Sequence, residues 1–274
     1  MDVPELITVH VIVMTAAADN SLCDELIASL IKRYNITEGV FYRQLKRHSD
    51  TLFKTHIVPL MSISSIPELY CYQYFKLVIS SYLLDSVMDF REREGEELAR
   101  FLFVGMDLFA DFKAWFANEF DESSMDMFDR YYYTQMEYQM IERSSNISEY
   151  SKLFPDYSNY WIKQCILYAP IQVFAKEGFF TLNSNEVENL YHSYYSLLLK
   201  IDDYMDVSID LRLESLTPLQ SQYFSLNGKL AEEEEELRPF FESLIIPSSW
   251  PIGYKRAALK MLNKCKSIKP ENFE

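Results

Sequence analysis

Glycine is scarce in this chain, with 6 in 274 residues. Rossmann and P-loop enzymes bind phosphate through glycine-rich turns, and the sequence contains neither G-x-G-x-x-G nor G-x-x-x-x-G-K-[ST]. The 10 prolines add few of the turn signals that an all-β fold requires. An anionic substrate must therefore be bound by something other than a glycine-rich loop.

Basic residues are also in deficit, because 26 Lys and Arg stand against 41 Asp and Glu, for a net charge of −15. Such a surface repels nucleic acid and anionic lipid, so no nucleic-acid partner is expected. An acidic protein can still bind a phosphorylated ligand where metal ions bridge carboxylate to phosphate.

The sequence has no C-x-x-C pair and no apolar run of membrane-spanning length. Its 4 cysteines are interpreted as reduced thiols of a cytoplasmic protein. The apolar stretch 6–18 is too short for a transmembrane segment, and Asp2 and Glu5 stand where a signal peptide has basic residues. We expect this stretch to be the buried start of the fold.

Apolar residues, 49% of the chain, recur with helical spacing rather than strict alternation. This amount of apolar sequence is enough for one large core, and a single all-α domain over 1–274 is predicted. The predicted helices cover about 21–34, 38–56, 66–88, 94–116, 125–142, 157–176, 186–205 and 253–269.

Local signals refine three of these helix predictions and add one further helical segment. The helix at 66–88 is apolar nearly all round, which is typical of a central, buried helix. Pro170 predicts a kink or a break in its helix. Asn183 and Ser184 form a plausible N-cap cluster for the next helix. The acidic run 232–236 is interpreted as a solvated helical face.

Two aspartate clusters end long apolar helices, one at Asp85 and Asp89 and the other at Asp202, Asp203 and Asp206. Aspartates four residues apart share a helix face, where like charges cost about a few tenths of a kcal/mol and oppose the helix dipole. One such spacing also arises by chance on acidic helices. Two copies favour a cation, since Mg²⁺ takes one or two carboxylates together with phosphate oxygens. Two such helix ends facing each other would hold a metal–diphosphate cluster.

The second cluster, Ile201-Asp202-Asp203-Tyr204-Met205-Asp206-Val207, resembles the second aspartate-rich motif of the trans-prenyl diphosphate synthases. The first resembles their D-D-x-x-D in the reduced form D-x-x-x-D, which squalene and phytoene synthases and some terpene cyclases share. Between the clusters, the segments 135–137 and 160–164 are similar to the family's Q-x-x-D and Y-x-x-K-T, and 210–219 to its D-L…T-x-P-L. The order is that of the class I isoprenoid synthase superfamily, whose fold is a helical bundle around a central cavity.

The departures from this pattern bear on the reaction. Chain-elongating members bind a second diphosphate through G-G-K-R-x-R-P, which is absent here, and the R-R-G after the first motif is missing, with Arg91 and Arg93 as loose substitutes. A site for one diphosphate favours a class I terpene synthase, a lyase that ionises a prenyl diphosphate before cyclisation or deprotonation. The alternatives are a transferase that joins two isoprenoid diphosphates, of polyprenyl or squalene and phytoene type, and a non-catalytic scaffold homologue.

The resemblance implies roles for particular residues and, as in many members, a homodimer. Mg²⁺ would be bound by Asp85 and Asp89 and by Asp202 and Asp206, with Asp203 either a ligand or a carboxylate behind them. Lys163 and Arg93 would contact the diphosphate, and Gln135 would lie on the substrate side. Aromatic side chains can stabilise an allylic cation, and the alternative for each of them is that it only packs in the core. The candidates for the cavity wall are Tyr82, Phe109, Tyr131, Tyr133 and Tyr195.

Overall fold

A computed structural model describes residues 22–36, 39–89, 95–143, 146–154, 157–212, 216–242 and 244–267. Most of these residues are helical, and the only extended pairing among them is an isolated bridge between Ser64 and Phe180. The all-α prediction is confirmed. The apolar stretch 6–18 and Arg93 lie outside the described residues. None of the described helices is both long enough and apolar enough to cross a membrane.

The described residues group into two compact units. The first unit comprises those up to Met61 together with Ile66–Glu119, and the second comprises Ser62–Ser65 and the residues from Phe120 onward. The prediction that residues 1–274 form one domain stays a prediction.

In the first unit, helices follow one another with short connections, and the predicted helices at 21–34, 38–56, 66–88 and 94–116 are all found. A π-helical segment, Phe53–Ile57, continues α2 into α3, so the predicted helix at 38–56 is longer than expected. The helices are α1 at 22–34, α2 Val40–Leu52, α3 Val58–Met61, α4 Glu68–Asp89 and α5 Glu96–Glu119.

Helix α4 is the buried centre of the first unit, as its all-round apolar character predicts. Seven of its hydrophobic side chains are at most 2% exposed: Cys71, Tyr74, Phe75, Leu77, Val78, Ile79 and Leu83. It packs along α5, where Gly105 brings the two backbones close. The Ser80 hydroxyl donates to the Gly105 carbonyl at 2.8 Å. A Cβ on Gly105 would lie 3.1 Å from the Leu84 side chain, which is tighter than ordinary contact, so a larger residue here would force Leu84 to shift.

The second unit is built around α9, whose length and position agree with the predicted helix at 186–205. The 3₁₀ segment Tyr157–Gln164 and helices α6, α8, α11 and α13 contact it or one another. The helices are α6 Glu122–Arg143, α7 Ile147–Leu153, α8 Cys165–Lys176, α9 Ser184–Met205, α10 Val207–Arg212, α11 Pro218–Asn227, α12 Glu234–Glu242 and α13 Ile252–Ser267.

The single helix predicted over 157–176 is wrong in its first half. Residues Tyr157–Gln164 wind as a 3₁₀ helix, and the α-helix begins at Cys165. Helix α8 then runs through Pro170 to Lys176, so the predicted break does not occur there. The missing N–H of a proline removes one helical hydrogen bond, and the buried packing of α8 offsets that loss.

The predicted cap of α9 is confirmed. The Asn183 side chain accepts from the backbone N–H of Glu186 at 3.0 Å, and the Glu186 carboxylate accepts from the N–H of Asn183 at 2.9 Å. This reciprocal capping box satisfies two backbone donors that a helix start leaves without intrahelical partners.

Of the acidic run 232–236, interpreted as a solvated helical face, only Glu234–Glu236 belong to the helix, and Glu232, Glu233 and Glu235 are exposed. Glu232 and Glu233 precede α12, and both donate their backbone N–H groups to the carboxylate of Glu236. Hydrogen bonds from Tyr223 and from these amides lower the pKa of Glu236 to about 2. The run therefore contains the cap that starts α12.

Candidate metal and diphosphate site

Two exposed carboxylates mark the end of α9. Asp202 lies in the last turn of the helix and Asp206 is its C-cap residue, and the N–H of Asp206 donates to the carbonyl of Asp202 at 3.1 Å. This hydrogen bond sets the two residues one helical turn apart, so their side chains leave the helix on one face. Both side chains are exposed. The end of a helix carries partial negative charge, which these carboxylates increase.

The chemistry of this pair suits Mg²⁺. The ion prefers carboxylate oxygens, is commonly bound by one or two of them, and completes its octahedral shell with water and substrate phosphate oxygens. Asp202 and Asp206 supply that number of protein donors at a place where a cation also offsets the helix dipole. Among the residues that the structure describes, no three His, Cys, Asp or Glu side chains form a group able to hold a metal ion.

Asp203 has a different environment from its neighbours. It is 8% exposed, its Oδ2 atom has no hydrogen-bond partner among the described residues, and it points into the second unit. Burial raises the pKa of the Asp203 carboxyl to about 7, against the opposing effect of Lys163. The sequence allowed Asp203 to be either a metal ligand or a carboxylate behind the ligands. Its burial favours the second role.

Lys163, predicted to contact diphosphate, forms an ion pair within the second unit. Its Nζ lies 2.8 Å from Oε1 of Glu142, and the two side chains are only 17% and 22% exposed. Burial alone would lower the pKa of the Lys163 ammonium, but the charges of Glu142 and its neighbours outweigh burial and hold it well above its ordinary value. The ammonium is therefore charged, and it is held by a carboxylate.

Further polar groups surround this ion pair. Tyr150 is fully buried, and its hydroxyl has no hydrogen-bond partner among the described residues. Burial raises the pKa of Asp210 to about 8, with Asp203 and Asp206 adding to the effect and Lys163 opposing it. The Lys163 ammonium thus contacts the carboxylate of Glu142 and acts electrostatically on the carboxyl groups of Asp203 and Asp210.

Gln135 has a defined place at the junction of α6 and α8. It is 9% exposed, and its side-chain oxygen accepts a hydrogen bond from the backbone N–H of Ile166 at 3.1 Å. The prediction that Gln135 binds substrate stays a prediction, and the structure gives this side chain a partner in the backbone.

The aromatic candidates make contacts within their own units. Tyr195 is buried in α9 and stacks on Tyr191, with ring centroids 4.0 Å apart. Tyr82, in the first unit, stacks on His48 at 4.7 Å. Tyr133, by contrast, is 68% exposed. Cavity-lining roles for Tyr82 and Tyr195 stay predictions.

The first aspartate cluster lies at the end of α4, in the first unit. Asp85 is exposed, and Ser86, which stands where the family has a second aspartate, is 4% exposed. Asp89 is the last residue of α4, and its side chain lies outside the described part of the structure. The prediction that the first cluster faces the second stays a prediction.

The sequence did not single out Glu142 and Tyr150. Glu142 lies seven residues after Gln135 on α6, and this spacing, two helical turns, places both on the face that carries Gln139, which is also buried. The shared helix face of Gln135, Gln139 and Glu142 was therefore the feature of the sequence that could have pointed to Glu142. Tyr150 gave none, because its isolated position on short α7 does not distinguish it from the other tyrosines.

Comparisons of the chain with protein-family models, with curated proteins and with solved structures gave no match.

Proposed function

We propose that this protein is a class I terpene synthase, which uses Mg²⁺ to ionise a prenyl diphosphate. The observation that carries the proposal is the pair Asp202 and Asp206, exposed one turn apart at the end of a helix whose preceding residues 194–201 are all buried. Carboxylates at a helix C-terminus are disfavoured by the helix dipole, and a bound divalent cation offsets that penalty.

Bound Mg²⁺ would act as a Lewis acid that stabilises the negative charge of the departing diphosphate. Asp202 and Asp206 would hold it from α9. The resemblance gives Asp85 and Asp89 the same role, and that part of the proposal rests on sequence alone.

The remainder of α9 supports the second requirement of this chemistry, which is exclusion of water from an allylic cation. The helix is buried over most of its last four turns, and these residues are apolar or aromatic with few exceptions. The buried side chains include Tyr191, Tyr194, Tyr195, Leu197, Leu198, Leu199 and Ile201. A metal-binding end on such a helix places carboxylates next to an apolar environment.

A terpene synthase is preferred to a prenyl transferase because the sequence lacks the basic segment that binds a second diphosphate. A prenyl diphosphate substrate, a homodimeric assembly and a cytoplasmic location belong to the same proposal.

The test is turnover. Purified protein is incubated with Mg²⁺ and geranyl, farnesyl or geranylgeranyl diphosphate, with and without isopentenyl diphosphate, and products are identified by mass spectrometry. Hydrocarbon or alcohol formed from a single diphosphate is the expected result. Longer diphosphates that appear only with isopentenyl diphosphate would replace the proposal with a prenyl transferase.

Variants connect turnover to the site. Asp202→Asn and Asp206→Asn remove one charge each with little change in shape, and each is expected to abolish turnover. They should also abolish the thermal stabilisation of the protein by Mg²⁺ plus pyrophosphate, which reaches about 2.7 kcal/mol when ligand is 100-fold above its dissociation constant. Asp126→Asn, at an exposed position on α6, is the matched control. A wild-type protein that neither turns over nor responds to Mg²⁺ plus pyrophosphate would indicate a non-catalytic scaffold.

A further inference from the structure

Helix α13 is positively charged, in a chain whose net charge is −15. The stretch 243–270, which contains the helix, has six basic residues and no acidic one. At physiological ionic strength, exposed charges more than about 8 Å apart are largely screened from each other. A ligand that touches α13 therefore responds to the charge of this helix more than to the average charge of the molecule, and the helix is a local exception to the repulsion of anionic surfaces.

The inner face of α13 packs against α9. Tyr254, Ala257 and Ala258 are at most 8% exposed, and the rings of Tyr254 and Tyr194 have centroids 4.7 Å apart. Trp250, which precedes the helix, contacts the same Tyr194 ring at 5.6 Å. These contacts hold α13 and the end of the preceding loop on α9, so the opposite side of α13 faces outward.

The outer face of α13 combines aliphatic and basic side chains. Ile252, Arg256 and Leu259 are four and three residues apart, which places them on one side of the helix over two turns. Ile252 is 57% exposed and Leu259 is 47% exposed. Arg256 and Lys260 are exposed beside them. The side of a helix that faces only water is ordinarily polar, so this combination indicates contact with a second, partly apolar phase.

A third exposed aliphatic side chain lies just before the helix. Ile245 is 81% exposed, in the loop that leads into α13. The ammonium of Lys255 donates to the carbonyl oxygen of Ser248 at 3.0 Å, which ties this loop to the first turn of the helix. Ile245 is three residues from Ser248, at most about 10 Å of extended chain. The α13 surface is defined by five exposed residues: Ile245, Ile252, Arg256, Leu259 and Lys260.

We propose that the α13 surface binds an anionic lipid bilayer, with its two basic side chains at the lipid phosphates and its three aliphatic side chains at the boundary of the acyl chains. Aliphatic residues flanked by lysine and arginine are the combination that holds a helix in the plane of a membrane surface. The inner face of α13 stays on α9, so binding requires no unfolding. The proposal goes beyond the proposed function and does not depend on it, because a bilayer is bound without a metal ion or a diphosphate.

Two other anionic ligands match only part of this surface. Nucleic acid matches the positive charge through its phosphates, but its backbone offers no apolar contact to three exposed aliphatic side chains. An acidic polypeptide matches the charge in the same way, through its carboxylates. A bilayer with anionic headgroups supplies both the charge and the apolar phase.

The first experiment is sedimentation of the full chain with vesicles of phosphatidylcholine, alone or with about one-third phosphatidylserine. A chelator is present, because Mg²⁺ would otherwise bridge the acidic remainder of the protein to lipid phosphates. We expect binding to the phosphatidylserine vesicles and at least about tenfold weaker binding to phosphatidylcholine alone. Binding should be lost between about 0.1 and about 1 M salt, where the Debye length falls from about 10 to about 3 Å. No binding to phosphatidylserine vesicles at the lower salt would overturn the proposal.

Matched variants locate the binding on α13. Arg256→Gln/Lys260→Gln removes two exposed charges and, at about fivefold for each basic residue, should weaken vesicle binding more than about tenfold. Arg130→Gln/Lys152→Gln makes the same change at exposed positions of α6 and α7 and should bind like the wild type. An equal loss in the two double variants would overturn the proposal, because the charge of the whole protein, and not α13, would then determine binding.

A labelled cysteine distinguishes a bilayer from an acidic polypeptide. The native cysteines are buried, so Leu259→Cys provides an exposed thiol for an environment-sensitive fluorophore, and Leu226→Cys on α11 is the control at another exposed leucine. Phosphatidylserine vesicles should shift the emission of the label at 259 to shorter wavelength and leave the label at 226 unchanged, and poly-glutamate should shift neither. An unshifted label at 259 in protein that sediments with the vesicles, or an equal shift with poly-glutamate, would overturn the proposal and assign α13 to acidic polypeptides.

Discussion

The side-chain oxygen of Gln135 accepts a hydrogen bond from the backbone N–H of Ile166, the second residue of α8, at a distance of 3.1 Å. The first N–H groups of a helix have no intrahelical acceptor, and α8 has no side-chain cap at its own N-cap residue, Gln164. Gln135 therefore provides from α6 the acceptor that α8 lacks. In this position the glutamine is explained by the fold, without a substrate.

We expect Gln135→Met to destabilise the protein by about 1–3 kcal/mol, because it leaves a buried N–H group without an acceptor. The measurement is urea unfolding, with Glu137→Met at an exposed position of the same helix as the control. Normal stability of Gln135→Met, combined with a lost response to Mg²⁺ plus pyrophosphate, would instead assign the side chain to substrate binding.

The approach of α4 to α5 at Gly105 gives a second prediction. A Cβ there would lie 3.1 Å from both Cγ and Cδ2 of Leu84 and 3.3 Å from Cβ of Leu83, which is tighter than ordinary contact. Gly105→Val extends two methyl groups into this packed interface, and overpacking of this kind costs about 1–3 kcal/mol. Thermal unfolding measures the loss. Ala110→Val, on the exposed side of α5, introduces the same residue where there is room and should unfold close to the wild-type temperature.

The sequence predicted the long helices well because their apolar residues recur with a clear period. It predicted the α9 cap because Asn183 and Ser184 are residue types favoured at N-cap positions. It did not predict the 3₁₀ winding of Tyr157–Gln164, where the side chains of Trp161 and Lys163 contact residues of other helices, His192 and Glu142. Short helices α7, α10 and α11 were missed because their 7, 6 and 10 residues are too few for a clear apolar period to appear.

Aspartate spacing shows most clearly where sequence reasoning stops. Asp107 and Asp111 on α5 repeat the D-x-x-x-D spacing of the two clusters, yet Arg33 bridges both, at 2.8 Å and 2.7 Å. Nothing local in the sequence separates this structural pair from Asp202 and Asp206. Whether a distant arginine bridges such a pair depends on tertiary packing, which the spacing does not reveal.

The capping box of α9 gives a third prediction. Asn183→Ala removes the acceptor for the N–H of Glu186 and should lower the free energy of unfolding by about 1 kcal/mol. Asn183→Asp keeps an acceptor and adds a favourable charge at the helix start, so it should retain wild-type stability or exceed it. Asn189→Ala, at an exposed position two turns into the helix, is the control for the substitution itself. A loss in Asn189→Ala as large as that in Asn183→Ala would show that capping is not the cause.

A final prediction concerns pH and rests on His192. Its ring stacks on Trp161 with centroids 3.7 Å apart, and burial lowers the pKa of His192 to about 4. In the unfolded chain a histidine titrates near pH 6.5, so between about pH 6.5 and 4 the unfolded state binds more protons than the folded state. The contribution of His192 to stability is therefore complete above pH 6.5 and falls as the pH is lowered through this window.

The contribution of His192 to the free energy of unfolding changes by at most about 1.4 kcal/mol for each pH unit. Buried Asp203 and Asp210 act in the opposite direction over part of the same range, since the pKa of each is raised, to about 7 and about 8. The effect of His192 is isolated by the difference between the wild type and His192→Phe, which keeps an aromatic ring on Trp161 without a titrating group. Urea unfolding at pH 7, 6, 5 and 4 should show His192→Phe losing less stability than the wild type toward acid. If both proteins lose the same free energy of unfolding toward acid, the imidazole accepts its proton as readily in the folded protein as in the unfolded chain. The buried position of the ring beside Trp161 would then have no effect on its charge.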